Sequence, residues 1–183
     1  KILDDLELVL PNLHKAGGKM IGISVGDAQR KKTEKKLDAQ AELLKKILPL
    51  CAENMIEANL HNHTYEVKDN MHDLKGTLSR VPEAKLGPDL GWLLRAGVDP
   101  VSFIDNYGDR MVYMHIRDLS AEGKWTEAVG EGVGNFPAVA KALKKINYQG
   151  RAAIELAFDE PPKRPVLESW EKSRKHVKQV FGW

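Results

Sequence analysis

Four ionisable residues recur at comparable places in four separate apolar segments. They are His61 in IEANLH (56–61), Asp89 in AKLGPDLGW (84–92), His115 in RMVYMHIRD (110–118) and Glu155 in RAAIELAFD (151–159). Neighbours in an extended strand alternate between faces, so Val112, Met114 and Ile116 share one face while His115 and Arg117 share the other. By the same rule Ile56, Ala58 and Leu60 leave His61 opposite them, and Ile154, Leu156 and Phe158 leave Glu155 beside the small Ala153 and Ala157. Asp89 stands between Gly87 and Gly91 near the end of its strand. Two imidazoles and two carboxylates brought together are costly to bury unless something binds them. Mixed nitrogen and oxygen donors suit Mn²⁺, Co²⁺, Zn²⁺ or Fe²⁺ better than Ca²⁺. Taken singly, each residue has a plainer reading: a strand-end histidine as a hydrogen-bonded structural residue, Asp89 as the cap of the next helix. The joint pattern favours the metal.

The elements that must position these residues follow from periodicity. Leu37, Ala41, Leu44, Leu48, Cys51 and Met55 are spaced by three and four, with Thr33 as N-cap, which predicts an amphipathic helix over 33–55, kinked or ended near Pro49. A strand is expected at 19–26 (KMIGISVG), ahead of the four named above. Asp99 with Pro100, and Asn135 before FPAVAKALKKI (136–146), open two further helices. The last helix, about 165–181, is expected to turn Leu167, Trp170, Val177 and Phe181 inward. Five strands alternating with helices predict an α/β fold built on a parallel sheet. In a (β/α) barrel the face away from the helices is the interior, and active sites are built at the C-terminal ends of the strands.

Composition narrows the function. With 183 residues, 42% of them hydrophobic, the chain can bury a sizeable core and reads as one soluble domain. Twenty-eight Lys and Arg against 26 Asp and Glu leave a formal charge of +2, no basis for general attraction to nucleic acid. The basic run RKKTEKK (30–36) reads as a solvated helix end. No apolar run approaches the ~18 residues of a membrane span. The one cysteine, Cys51, reads as a core residue. The chain begins KILDDLELVL without a methionine, so its compartment stays open: the cytoplasm is favoured, and the periplasm fits if a leader has been removed.

The residues resemble the xylose-isomerase-like TIM-barrel proteins, the sugar phosphate isomerase/epimerase family that includes inosose dehydratases. The resemblance runs through LHNHTYEV (HNHxxE, fifth barrel strand), DLGWLLRAGVDP (DxGxxxxAGxDP, sixth) and HIRD (HxKD, seventh). It continues through VGEGVGNFPAV (the GEGxxDF loop) and IELAFDEP (the terminal glutamate strand). It implies an eight-stranded parallel barrel of which residues 1–183 supply about strands 4 to 8, lacking the three N-terminal βα units. A five-strand portion leaves an open edge, so completion by a further segment or by a second copy, as a homo-oligomer, is expected.

The resemblance also implies a metal set of His61, Asp89, His115 and Glu155. Manganese is the first expectation, with cobalt, magnesium, zinc and iron as alternatives. His61 stands where relatives carry a glutamate, which breaks the carboxylate pair that works both faces of a sugar in family epimerases. The implied activity is proton abstraction beside a carbonyl of a keto-sugar or polyol, with Glu155 or His63 as base. Isomerisation, epimerisation or β-elimination, as in a dehydratase, then follows, and a non-catalytic sugar-binding relative is the alternative class. Trp92, Arg117, Glu66 and Lys124 are the expected substrate-binding residues. Trp92 is a stacking surface or a core residue, and Arg117 holds a substrate oxygen or pairs with a carboxylate. Glu66 supports an imidazole or is a solvated loop carboxylate, and Asp118 orients the following loop, which also carries Trp125 and Glu131. An all-β cupin, suggested by HxH with a following Glu, is excluded by the 33–55 helix, and HNH nucleases disperse their three residues through a ββα unit.

Overall fold

A computed structural model of the chain describes residues 1–26 and 30–183. Among these residues two units, Lys1–Gly87 and Pro88–Trp183, each hold their own contacts.

In the first unit, α1 (Ile2–Lys15) leads into β1 (Met20–Ile23), α2 (Glu34–Glu53), β2 (Glu57–Leu60), α3 (Thr64–Arg80) and β3 (Lys85–Leu86). The strands pair in parallel in the order β1-β2-β3, with Ile21 opposite Ala58 and Leu60 opposite Leu86. Leu10, Ile47, Cys51, Ile56 and Ala58 form the buried cluster between sheet and helices. Thr33 caps α2 as its pattern predicts, accepting the Lys36 N–H. The helix does not end at Pro49. Lys45 and Pro49 both lie on its exposed side, where water takes the carbonyl that a proline cannot satisfy. Its buried stripe is Leu37, Ala41, Leu44, Ile47 and Cys51, and Met55 is exposed in a left-handed conformation beyond the helix end. Helix α3 is broken by Asp69, Asn70 and Met71, all with positive φ.

In the second unit, α4 (Leu90–Arg95) and α5 (Pro100–Tyr107) precede β4 (Tyr113–Ile116), and α6 (Phe136–Lys145), β5 (Arg151–Ile154) and α7 (Val166–Phe181) follow. Strands β4 and β5 pair in parallel, His115 opposite Ala153. Asp99 and Asn135 cap α5 and α6 with proline in the first turn, as expected. The strands are shorter than the apolar segments suggest. Asp89 starts a helix, so Trp92 is helical, and Leu156 and Phe158 lie beyond the β5 ladder.

Helix α7 also departs from expectation. Leu167 is 69% and Trp170 41% exposed, and the buried stripe is Ser169, Ser173 and Val177. Small serines four residues apart allow close approach. Ser173 Oγ donates to the Ser169 carbonyl and accepts the Val129 N–H, so its polarity is absorbed. Among the described residues no helix is long and apolar enough to cross a membrane.

Candidate metal centre

Three of the expected ligands meet in the second unit. The backbone of Asp89 bridges that of His115, whose N–H donates to the Pro88 carbonyl at 2.8 Å, and the Glu155 N–H donates to the Ile116 carbonyl at 3.0 Å. Parallel pairing therefore sets the three side chains side by side on rigid backbone. Asp89, His115 and Glu155 each offer a ligand atom, all within 4.8 Å of one another. Donors around one ion at ~2.1 Å stand at most ~4.2 Å apart, so the set is close to, though wider than, ligating spacing. His115 Nδ1 lies 2.7 Å from Glu155 Oε2.

Electrostatics suit the same role. Burial drives the Asp89 acid up from its usual range, and the Arg117 guanidinium and the Trp92 N–H, 3.0 Å from Asp89 Oδ1, pull it back. Asp89 thus caps α4 and faces the centre at once. Burial lowers the His115 imidazole below its ordinary value against the pull of Asp89, with Arg117 adding to the lowering. This favours the neutral ring that a metal requires.

Arg117 enters from the same face of β4. Its Nε lies 3.4 Å from Asp89 Oδ2, and its terminal nitrogen pairs with Glu155. Of the two roles expected for Arg117, the structure shows the carboxylate pairing. Its guanidinium also lies 4.7 Å from the Trp125 ring centre and 5.4 Å from that of Trp92, and the two indoles meet edge to face at 4.7 Å. Arg95 stands against the same rings at 4.6 and 5.4 Å. A Cβ at Gly91 would come within 2.9 Å of the Arg117 Cβ and 3.0 Å of the Trp125 ring, so only glycine leaves room there. Arg95 was not among the residues expected from sequence; its place one helical turn after Trp92 was the available signal.

The loop after β4 hangs on Asp118. That buried carboxylate accepts the backbone N–H groups of Leu119, Gly130, Gly132 and Gly134 at 2.9–3.0 Å. The loop is tied to the segment after β5: the Trp125 N–H donates to Asp159, Lys124 pairs with Glu160, and Arg164 with Glu127 and Glu131. Lys124 is solvent-exposed and its ammonium lies on Glu160.

His61, His63 and Glu66 belong to the first unit. Strand β2 stops at Leu60, so strand parity does not extend to His63, which caps the start of α3. The His61 and His63 rings meet edge to face at 4.9 Å, and the Tyr65 ring stacks on His63. Glu66 is buried, not a solvated loop carboxylate. It accepts the His63 N–H at 2.7 Å and the Ser24 hydroxyl at 2.8 Å, and burial drives its acid up to about 7.

The family model described as Xylose isomerase-like TIM barrel matches residues 1–180. The chain belongs to this family. Within it, the chain is 24% identical over 200 aligned positions to the inosose dehydratase of Clostridium botulinum (strain Eklund 17B / Type B), covering 91% of this chain and 66% of that one. It spans 37% to 66% of the length of the inosose dehydratases it matches. Among solved structures, an L-ribulose 3-epimerase superposes with a TM-score of 0.81 at 14% identity, covering 98% of this chain and 66% of the other. The IolI protein, whose crystal structure holds a zinc atom, gives 0.81 at 16% identity over 99% and 69%. The fold is therefore the α/β xylose-isomerase-like TIM-barrel type with parallel strands, as expected from the motifs.

Proposed function

We propose that the chain is the metal-binding part of an enzyme that acts on a keto-sugar or polyol by removing a proton next to a carbonyl. The observation that carries this reading is the convergence of Asp89, His115 and Glu155 at adjacent strand ends. A divalent cation held there, with manganese first among Mn²⁺, Co²⁺, Mg²⁺, Zn²⁺ and Fe²⁺, supplies Lewis acidity toward a carbonyl oxygen. Asp89, fixed by its helix cap, is the rigid ligand, and burial biases His115 toward the neutral ring that can ligate. Glu155, the most exposed of the three, is the carboxylate that takes the carbon-bound proton. Trp92 and Trp125 pack on Arg117 at one side of the centre, and the loops after β4 and β5 are tied together beside it.

A second reading, elimination of water from an inosose or of an alkoxyl group from a 3-keto-glycoside, is favoured by the inosose dehydratase relatives. Metal content and turnover test both readings, with inososes, 3-keto-glycosides and ketoses as substrates. An isomeric or epimeric product supports the first, and an unsaturated product the second. Asp89→Asn, His115→Ala and Glu155→Ala are each expected to lower metal occupancy at least tenfold. Full occupancy in all three would sink the assignment.

A further inference from the structure

Arg117 touches both carboxylates of the centre, and a catalytic reading of the site does not account for where it sits. Its guanidinium is almost wholly buried, pressed against two indoles that it shares with a second arginine. Burial and Arg95 both disfavour its charge, and Asp89 opposes them. An arginine cannot shed its proton under these conditions, so the carboxylates are what hold it in place. Gly91 leaves room for its stem, since a Cβ there would come within 2.9 Å of the Arg117 Cβ. The pairing uses the groups a metal would need: Glu155 gives one oxygen to Arg117 and the other to His115, and Asp89 Oδ2 faces Arg117 Nε.

We propose that Arg117 is a resident counter-cation that competes with a divalent metal for Asp89 and Glu155. This rests on the metal-centre reading above. In the metal-free chain Arg117 balances two carboxylates that would otherwise repel each other, one of them completely buried. When a metal binds, its two positive charges meet a third within the same pocket, and the Arg117–Glu155 contact is given up. Arg117 therefore weakens metal binding and keeps the empty centre open, making the metal exchangeable. A purely structural arginine would have the opposite signature, since removing it would loosen the ligands and lower affinity.

The test measures Mn²⁺ and Zn²⁺ binding by calorimetry on the full chain carrying Arg117→Gln or Arg117→Lys, with metal-free melting temperatures alongside. Arg117→Gln is expected to bind metal at least tenfold more tightly than the parent chain while melting lower without metal. Arg117→Lys, which keeps the positive charge beside the carboxylates, is expected to bind metal less tightly than Arg117→Gln. Equal or weaker binding by Arg117→Gln, with metal still lost on His115→Ala, overturns the inference and leaves the metal centre standing. If neither the parent nor Arg117→Gln binds either ion, the metal reading falls and this inference with it. Should Arg117→Gln fail to fold, the arginine Nε–H resonance of Arg117, assigned by its loss in Arg117→Lys, is followed in the parent chain during Zn²⁺ titration. A shift saturating with bound zinc supports displacement, and an unmoved resonance overturns it.

Discussion

Each unit buries a cation beside carboxylates, and the two arrangements do opposite things with them. In the first unit Lys32 lies 2.5 Å from Asp73, with side-chain exposures of only 7% and 6%. Gln40 accepts from Lys32 at 2.7 Å and donates to Asp73 at 2.8 Å, and Thr77 bonds back to Asp73. Every group in this cluster points at another member of it. In the second unit Arg117 serves two carboxylates and an imidazole shares one of them, yet Glu155 and His115 keep 40% and 24% of their side-chain surface exposed. A closed, mutually satisfied network is a clasp. A convergent, charged and partly open one has room for a ligand.

Breaking the clasp should have the largest effect on stability. Lys32→Met leaves the Asp73 carboxylate buried without its cation, and loss of one partner of a buried pair costs about 3–5 kcal/mol. Urea unfolding should show that loss, and Lys32→Met combined with Asp73→Leu should recover most of it. A loss below about 1 kcal/mol would mean that the pair is solvated and the contrast with Arg117 false.

Glu66 sharpens the comparison because it is a buried carboxylate held by a hydroxyl and an amide in place of a lysine or arginine. Its acid is raised from 4.5 to about 7. The folded chain therefore keeps a proton that the unfolded chain has released. The stabilisation is complete below pH 4.5 and is lost as pH rises through about 7, for a total on the order of 3 kcal/mol. Glu66→Gln, neutral at every pH, should gain about that much relative to the parent between pH 5 and pH 8 in urea unfolding. A constant difference across that range would show that Glu66 is ionised throughout and that some cation does serve it.

The same contrast explains what could be read from sequence. His115, Arg117 and Glu155 were legible because strand alternation fixes the face of each residue, and apolar neighbours such as Met114 and Ile116 mark the other face. Asp118 was expected to orient its loop, and it does so by accepting backbone N–H groups of that loop, two of them from Gly132 and Gly134, where a Cβ would meet its carboxylate. Lys32 was not. A lysine in a basic run reads as solvated, and its partner Asp73 lies far along the sequence in α3, with no local pattern linking it to Lys32 in the segment before α2. Ser173 misled for a related reason: hydropathy assigns a serine to water, while its hydroxyl donates to the Ser169 carbonyl and accepts the Val129 N–H. Tertiary pairing of polar groups carries no periodic signature, which is why the strand-borne residues of the centre were easier to place than the clasp.

Lys124 marks the opposite limit, a charge whose pairing should contribute almost nothing to folding. It was expected at the substrate, and its ammonium instead lies 2.6 Å from Glu160 on a surface where both side chains are more than 60% exposed. Exposed pairs of this kind are screened by water and salt. Lys124→Ala should leave the urea midpoint unchanged within error, unlike Lys32→Met. The same contact joins the loop after β4 to the segment after β5, next to the Trp125–Asp159 and Arg164–Glu131 links that hold them regardless. If Lys124 nevertheless reaches substrate, Lys124→Ala should raise KM several-fold with kcat little changed, and adding salt should not reproduce the effect. If it serves only Glu160, neither constant should move, and Glu160→Gln should be equally silent.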